Sequence, residues 1–262
     1  MRLTGAGAMQ DAVLVWYGQN ARDLPWRRTS DPYPILVSEV MLQQTQVSRV
    51  LPRWRAWLER WPTVEALAAA PAGDVIAAWS GLGYNRRAVL LHRCALAVRE
   101  RGGFPCDPGE LERLPGIGPY TAAAIACFAF GAQIAAPDTN ARRVCERAFG
   151  APDVDPPPDQ AYAWNQALFD LGREICIARR PRCERCPLAA GCPSRGRVYA
   201  PLRRQSRFEG SFRQRRGALL RAVTRAGRLD AGAVDVEALE SLRRDGLVEV
   251  SGTTVRLPEA VG

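Results

Sequence analysis

Residues 114–140 of the chain read LPGIGPYTAAAIACFAFGAQIAAPDTN, and the predicted fold is organised around them. Two glycines, Gly116 and Gly118, lie one residue apart, just before a proline that suits the first position of a helix. The apolar run at 120–130 then predicts a buried helix. Glycines in a tight turn leave backbone N–H groups uncovered at a helix N-terminus, where a phosphate can bind. The stretch therefore predicts an anion-binding turn, a buried helix and, after a short loop, a carboxylate at Asp138.

The overall composition favours a polyanionic partner. The chain has 262 residues and a formal net charge of +9, which allows one large domain or two small ones with a basic surface. All 36 basic residues are arginines, so no lysine amine is present to form a Schiff base with a sugar aldehyde. No stretch is apolar and long enough to span a membrane, and the first residues show no export signal, which predicts a cytoplasmic protein.

A second motif, PILVSEVMLQQTQ, occupies residues 34–46 and predicts a helix with an apolar stripe. Glu39 falls inside the apolar run. A desolvated carboxylate at this place suits a general acid. The alternative is a solvent-facing residue on the polar side of an amphipathic helix, and the pattern alone favours that alternative.

A third motif is a cluster of cysteines near residue 180. In a cytosolic protein, clustered cysteines indicate a metal site rather than disulfides. Four thiolates this close in sequence can enclose an iron–sulfur cluster. The alternative is zinc, whose four-cysteine sites usually contain two Cys-x2-Cys pairs, whereas this segment contains one. The four residues are Cys176, Cys183, Cys186 and Cys192.

Two loops carry side chains that suit nucleic acid. Trp26 stands beside Arg27, and an indole next to a guanidinium can stack on a base, although a tryptophan more often belongs to a core. Leu82 and Tyr84 alternate with glycines in an exposed loop and can wedge between base pairs. The alternative for that loop is a helix-capping turn with a half-buried tyrosine.

The end of the chain shows a different pattern. Helices are predicted at 213–226 and 234–244, followed by alternating strands at 247–250 and 253–257 that join through Ser251-Gly252. Two helices and a β-hairpin suggest a small winged-helix-like module.

The motifs together resemble the helix-hairpin-helix DNA glycosylases of the endonuclease III superfamily. SEVMLQQTQV is similar to the catalytic helix of the adenine DNA glycosylases of the MutY type. The resemblance covers residues from about 10 to 195 and implies an all-α, two-domain fold with an iron–sulfur cluster loop and an active site in the cleft between the domains. The expected parts are a helical barrel domain with the hairpin at 23–136, a cluster domain at 1–22 and 137–195, and the C-terminal module at 208–262.

The resemblance also implies roles for individual residues. Glu39 would protonate adenine, and Asp138 would stabilise the sugar cation. Tyr120 and Asn140 would line the pocket and orient water or the sugar. DNA would be contacted by Gln43, Gln44, Leu82, Tyr84, Gly116, Gly118, Trp26 and Arg27. The four clustered cysteines would hold a [4Fe–4S] cluster.

The function that the resemblance implies is a monofunctional DNA glycosylase of base excision repair. Its substrate would be double-stranded DNA with a mismatch or lesion, from which it removes adenine opposite guanine or 8-oxoguanine. The enzyme would act as a monomer in the bacterial cytoplasm, at the nucleoid. Bifunctional relatives carry a lysine at the position of Tyr120, so base removal with little strand scission is expected here.

The chain departs from the adenine-glycosylase pattern in two places. The usual Asp-Gly-Asn reads Asp138-Thr139-Asn140, and the residues after 195 do not match the Nudix-like domain that reads 8-oxoguanine. The nearest alternative is a thymine or uracil mismatch glycosylase, although such relatives typically lack the Gln-Gln pair. A second alternative is a non-catalytic, redox-sensing DNA-binding protein, which would be expected to lose Glu39 or Asp138. A winged-helix regulator explains only the last segment.

Overall fold

A computed structural model of the chain describes residues 5–200 and 207–260. In these ranges the chain forms twelve α-helices and three short strands, which confirms the all-α class with a small C-terminal module. The helices are α1 (Ala6–Asn20), α2 (Pro32–Leu42), α3 (Val47–Arg60), α4 (Val64–Ala69), α5 (Ala72–Ala78), α6 (Arg86–Arg101), α7 (Pro108–Glu112), α8 (Pro119–Phe130), α9 (Thr139–Phe149), α10 (Ala161–Glu174), α11 (Phe212–Ala226) and α12 (Val236–Arg244). The strands are β1 (Arg228–Asp230), β2 (Glu249–Ser251) and β3 (Thr254–Arg256). None of the helices in the described ranges is long and apolar enough to cross a lipid bilayer.

Helix ends follow local signals where such signals exist. Helix α8 begins with Pro119 at its first position and ends at Gly131, which has a φ of 74° and closes the helix in the left-handed conformation. Helix α2 ends at Leu42 rather than at the predicted Gln46, and Gln44 beyond it has a φ of 56°. Helix α10 ends at Glu174, so the first cysteine of the cluster, Cys176, lies outside the helix.

The chain divides into two compact units. The first contains the described residues of 5–35, 106–111 and 118–200, and the second contains 36–105, 112–117 and 207–260. The domain bounds expected from the sequence differ from the bounds of these units and remain a prediction.

The core of the first unit is formed by α1, α9 and α10. Val13, Val144 and Leu171 are fully buried or nearly so, and they surround Trp164, whose indole N–H donates to the carbonyl of Val154 at 3.2 Å. Burying a large apolar side chain stabilises a fold by about 1.5–3 kcal/mol. This core therefore holds α9 and α10 together, and these two helices carry several of the candidate site residues.

The tryptophans of α3 and of the residue after it lie in the core of the second unit. Trp54, Trp57 and Trp61 are at most 8% exposed. Trp57 packs edge-on against Trp61 at 4.7 Å between ring centroids and against Trp79 at 5.6 Å. Such edge-to-face pairs contribute about 0.5–1.5 kcal/mol beyond their buried area.

The C-terminal module shares its core with helices of the second unit. Its strands pair antiparallel in the order β1-β3-β2. The predicted hairpin is confirmed, with its turn at Gly252-Thr253 because Ser251 still pairs with Thr254. The apolar residues of α11, α12 and β3 form one cluster with Ile76 of α5 and Val89 of α6. The backbone N–H of Ala72 also donates to the carbonyl of Glu259 at 3.2 Å. The module is therefore built onto α5 and α6.

Candidate functional site

The hairpin turn before α8 requires one of its two glycines. Gly116 has a φ of 78°, and a Cβ added there would lie 2.7 Å from the Cβ of Leu90. Only glycine fits both the conformation and this close approach to α6. Gly118 differs, because its φ is −100° and nothing lies within 4 Å of an added Cβ. The space at Gly118 leaves the N-terminus of α8 accessible to an anion.

Glu39 lies on α2 in the second unit and is only 8% exposed. Its neighbours Val37, Val40 and Met41 are also buried. The solvent-facing alternative for Glu39 is therefore wrong. A buried carboxyl group suits the role of a proton donor better than a solvated one does.

Asp138 lies in the first unit and forms the N-cap of α9. One carboxylate oxygen accepts from the backbone N–H groups of Asn140 at 2.8 Å and Ala141 at 2.7 Å. The other oxygen accepts from the side-chain amide of Asn140 at 3.0 Å. This capping explains why α9 begins at Thr139. Asp138 is half-buried, and these donors fix the orientation of its carboxylate.

An arginine on α9 connects this cap to the first cysteine of the cluster loop. The guanidinium of Arg143 donates to the side-chain oxygen of Asn140 at 3.0 Å and to the carbonyls of Gly172 at 2.6 Å and Cys176 at 2.8 Å. Burial lowers the pKa of Arg143. Gly172 allows the approach of the two helices, since a Cβ there would lie 2.8 Å from the carbonyl oxygen of Asn140. This connection was not predictable from sequence, because two of its three acceptors are backbone carbonyls.

Tyr120 lies in the first turn of α8, where it is half-buried. Its ring packs edge-on against Phe169 at 6.2 Å, and Phe169 packs against Phe128 at 6.1 Å. The orientation of the Tyr120 ring is thus set by aromatic packing on α8 and α10.

The Gln-Gln pair and the loop around Leu82 lie in the second unit. Gln43 and Gln44 are exposed, and Tyr84 is 54% exposed with a φ of 47°. The expected exposure of Leu82 is wrong, because this side chain is 5% exposed. The reason is that the loop folds back onto Trp79. The Leu82 N–H donates to the Trp79 carbonyl, and the Trp79 indole donates to Gly83.

One buried arginine contacts both the segment after α2 that carries the Gln-Gln pair and the loop around Leu82. It was not among the predicted site residues. Arg87 on α6 is 7% exposed, and its guanidinium donates to backbone carbonyls on both segments and to one side-chain hydroxyl on the first. Its acceptors are the carbonyls of Val40 at 2.7 Å, Met41 at 3.1 Å, Gln43 at 2.7 Å and Gly83 at 3.0 Å, together with the hydroxyl of Thr45 at 3.2 Å. Burial lowers the pKa of Arg87 to about 10, so the group is still a cation at neutral pH. A cation at the C-terminal end of α2 also complements the helix dipole.

Replacing Arg87 with lysine tests this role. A single ammonium cannot reach carbonyls on both segments, so we expect the free energy of unfolding to fall by about 1–3 kcal/mol. Denaturant unfolding measures the effect. Arg86→Lys is the matched control, because the Arg86 side chain is 64% exposed. Equal losses of unfolding free energy for Arg87→Lys and Arg86→Lys would contradict the proposed role of Arg87.

Trp26 and Arg27 differ from the expected base-stacking pair. Trp26 is 7% exposed, and the guanidinium of Arg27 donates to the two carboxylate oxygens of Asp170 at 2.7 and 2.8 Å. Arg22 donates to the same carboxylate at 2.5 Å. The physical reason is that Asp170 lies in the core of the first unit with 0% exposure, and a buried carboxylate needs cationic partners. Trp26 is therefore a core residue, and Arg27 neutralises a buried carboxylate.

The four clustered cysteines line one cavity, together with Ile175 and Arg147. Arg147 donates to the Cys176 sulfur at 3.6 Å and accepts through its carbonyl from the Cys192 thiol at 3.4 Å. Burial raises the pKa of the Cys186 thiol to about 12, so this sulfur needs a bound metal to ionise at neutral pH. Among the described residues, no three His, Cys, Asp or Glu side chains converge closely enough for a single metal ion. Four cysteine sulfurs that line one cavity are a donor set suited to an iron–sulfur cluster.

Comparisons with known proteins agree with this arrangement. Residues 37–168 match the family described as HhH-GPD superfamily base excision DNA repair protein. Residues 176–192 match the iron–sulfur binding domain of endonuclease III.

Two relatives are named adenine DNA glycosylase. The one from Mycolicibacterium smegmatis is 46% identical, with 90% of this chain and 91% of the relative covered. The one from Mycobacterium tuberculosis is 43% identical, with 94% and 92% covered. Among solved structures, a thermostable thymine-DNA glycosylase is similar with a TM-score of 0.66 and 29% identity, and the match covers 72% of this chain and 95% of that one.

The coverage by the first relative extends into the C-terminal module. A match to 90% of 262 residues leaves about 26 residues unmatched, fewer than the module contains. At least part of the module is therefore shared with that relative.

Proposed function

Since this chain belongs to the HhH-GPD superfamily of base excision DNA repair proteins, we propose that it removes mispaired adenine from duplex DNA by hydrolysing the N-glycosidic bond. The observation that carries the proposal is the 46% identity, over nine-tenths of both chains, to a relative named adenine DNA glycosylase. The substrate is double-stranded DNA with adenine opposite guanine or 8-oxoguanine. The enzyme acts as a monomer in the bacterial cytoplasm, at the nucleoid.

The alternative substrate is thymine or uracil in a mismatch. The structural likeness to a thymine-DNA glycosylase supports it, but that likeness has 29% identity and covers 72% of this chain. The relatives named for adenine are 43–46% identical and cover 90–94% of the chain. Adenine is therefore the first choice.

The chemistry is assigned to two carboxyl groups. The nucleotide must first leave the base stack, because the glycosidic bond is out of reach inside a duplex. Glu39 then protonates a ring nitrogen of adenine, which makes the base a better leaving group. Asp138 stabilises the positive charge that develops on the sugar, as the second carboxylate does in glycoside hydrolysis. The buried position of Glu39 and the fixed carboxylate of Asp138 support these roles.

The remaining candidates support this reaction. We assign Tyr120 and Asn140 to the pocket for the extruded nucleotide. The side-chain amide of Asn140 also holds the Asp138 carboxylate in place. The turn at Gly116 and Gly118 binds a backbone phosphate. Gln43, Gln44 and Tyr84 occupy the gap left by the extruded nucleotide, and their exposure supports that role.

The cofactor of this chain is a [4Fe–4S] cluster, bound in the segment 176–192. We assign the four cysteines of that segment as its ligands. These four thiolates would hold the cluster, which would link distant parts of the loop and so order it. Arg143 and Arg147 fix the backbone around Cys176, so the loop and the helix that carries Asp138 are ordered together.

The products of one incubation test the proposal. A duplex with adenine opposite guanine is expected to lose adenine and to break only after alkali, because Tyr120 replaces the lysine that bifunctional relatives use. Borohydride is expected to trap little covalent adduct, since the chain contains no lysine. Duplexes with thymine or uracil opposite guanine are the controls. Faster release of thymine or uracil, or an efficient borohydride adduct, would contradict the proposal.

The same assay separates the enzyme from a DNA-binding protein that only senses redox state. A protein of that class releases no base from any duplex in the panel. Retention of both Glu39 and Asp138 favours the enzyme.

A further inference from the structure

The chain continues past the last of the four clustered cysteines and folds back over their cavity. Residues 193–199, which we name the cap segment, follow that cysteine directly. Ser194 and Arg195 line the cavity together with the cysteines. The backbone N–H of Gly196 donates to the Cys183 sulfur at 3.4 Å, and the φ of Gly196 is 76°, a conformation that favours glycine. The cap segment therefore covers part of the cavity with its backbone.

The far end of the cap segment is attached at two points. The backbone N–H of Tyr199 donates to the carbonyl of Arg179 at 2.9 Å. The guanidinium of Arg147 lies over the Tyr199 ring, with its Cζ 3.5 Å from the ring centroid. A guanidinium at this distance is attracted by the face of the ring, and more strongly where water is excluded. These contacts connect the cap segment to α9.

The cluster loop holds Arg147 from another side. The guanidinium donates to the carbonyls of Ile177 at 3.0 Å and Ala178 at 2.6 Å and to the Cys176 sulfur at 3.6 Å. These acceptors fix the guanidinium in its place over the ring. The hydroxyl of Tyr199, by contrast, is buried without a hydrogen-bond partner among the described residues. The ring is therefore the part of Tyr199 that holds the cap segment, and the hydroxyl is not.

We propose that the cap segment shields the iron–sulfur cluster from solvent and chelators, and that the contact between Arg147 and Tyr199 keeps it closed. The proposal rests on the assignment of the four cysteines as ligands and does not depend on which base is removed. The protein shell around a metal site controls the access of solvent to it. Iron then leaves only while the cap segment is open, so the rate of loss follows the fraction of molecules in the open state. Arg147 and Tyr199 are thus positioning residues for the cofactor.

The rate of cluster loss from the purified, cluster-loaded protein tests the proposal. The decay of the cluster's visible absorption is followed after addition of an excess of an iron chelator, without denaturant. We expect Tyr199→Ala to lose the cluster at least about 5-fold faster than the wild type. Tyr199→Phe should lose it no faster than the wild type, because the ring is kept and the buried hydroxyl has no partner in the described part of the chain. Val198→Ala is the matched control, since Val198 belongs to the same segment and is 67% exposed.

Two outcomes of this assay overturn the proposal directly. One is loss from Tyr199→Ala at the wild-type rate, and the other is loss from Tyr199→Phe as fast as from Tyr199→Ala. Asp170→Asn separates local opening from global unfolding, because it removes a buried ion pair of the same unit and leaves the cap segment unchanged. If Asp170→Asn loses the cluster faster than Tyr199→Ala does, iron leaves by unfolding of the whole unit, and the role of the cap segment is wrong.

Amide hydrogen exchange provides a second measurement, which also serves if Tyr199→Ala retains no cluster. The N–H groups of Gly196 and Tyr199 are both hydrogen-bonded and should exchange slowly in the wild type. Tyr199→Leu keeps an apolar side chain without an aromatic face, so exchange in the cap segment should rise by at least about 5-fold while exchange in α10 stays unchanged. Fast exchange of the cap segment in the wild type, or no rise in Tyr199→Leu, overturns the proposal. A protein that shows the expected protection yet releases no adenine contradicts only the proposed function.

Discussion

Asp138→Asn is expected to lower the rate of adenine release by at least about 100-fold, because the developing sugar cation loses its counter-charge. The same substitution keeps the helix cap, since asparagine is as good an N-cap residue as aspartate. We therefore expect the free energy of unfolding to change by no more than about 1 kcal/mol. Single-turnover base release and denaturant unfolding measure the two effects.

A matched control separates catalysis from capping. Asp235 caps α12 by accepting from the Ala238 N–H at 2.9 Å, and it has no proposed role in the reaction. Asp235→Asn should leave base release unchanged. If Asp138→Asn also leaves the rate unchanged, Asp138 serves only as a cap and the assignment is wrong.

Glu39→Gln is the companion substitution within the same prediction. It preserves the shape of the buried side chain but removes the proton that adenine needs. We expect a loss of about 10²–10⁴-fold in base release with duplex binding retained. Base release by Glu39→Gln at the wild-type rate would favour the non-catalytic DNA-binding protein instead.

Asp170→Asn is expected to destabilise the protein by about 3–5 kcal/mol, because it leaves buried guanidinium groups without their carboxylate. The pair of Asp170 and Arg27 is almost wholly shielded, with side-chain exposures of 0% and 7%. Arg22 shares the same carboxylate and is 22% exposed. Denaturant unfolding at neutral pH measures the loss, and Asp23→Asn is the control because Asp23 pairs with Arg28 on the surface.

The difference between wild type and Asp170→Asn should depend on pH. Burial alone would raise the pKa of Asp170, but hydrogen bonding to Arg27 and the charges of Arg27 and Arg22 lower it below its ordinary value. A carboxyl group whose pKa is lowered by folding stabilises the fold above its unfolded pKa of about 3.9 and loses that contribution as pH falls through the folded pKa. The stability gap should therefore be constant above about pH 5 and shrink in acid. A gap that stays constant down to pH 2 would contradict the ion pair.

The features that were predictable from sequence are those with local causes. The turn and helix at 114–130 follow from adjacent glycines and a proline, and the β-hairpin follows from Ser251-Gly252 between alternating strands. The tryptophan stripe of α3 follows from helical spacing alone. The metal-binding segment was predictable from the clustered cysteines, and its iron–sulfur cluster from the family resemblance.

The features that were missed have partners far away in sequence. Arg87 bonds to carbonyls more than 40 residues earlier, and Arg27 meets Asp170 across 143 residues. No local pattern marks a backbone carbonyl as an arginine acceptor. Leu82 was expected to be exposed because glycines surround it, but the return of its loop onto Trp79 is a tertiary contact. Strand β1 was missed for the same reason, since its pairing partner β3 lies near the end of the chain.

Because the C-terminal module shares an apolar core with helices α5 and α6, we expect these parts to unfold as one cooperative unit. Ile76 and Val89 would face water if the module separated from these helices, so opening the module also exposes apolar surface of α5 and α6. Amide protons of α6 and α11 are consequently expected to exchange with solvent at matching rates.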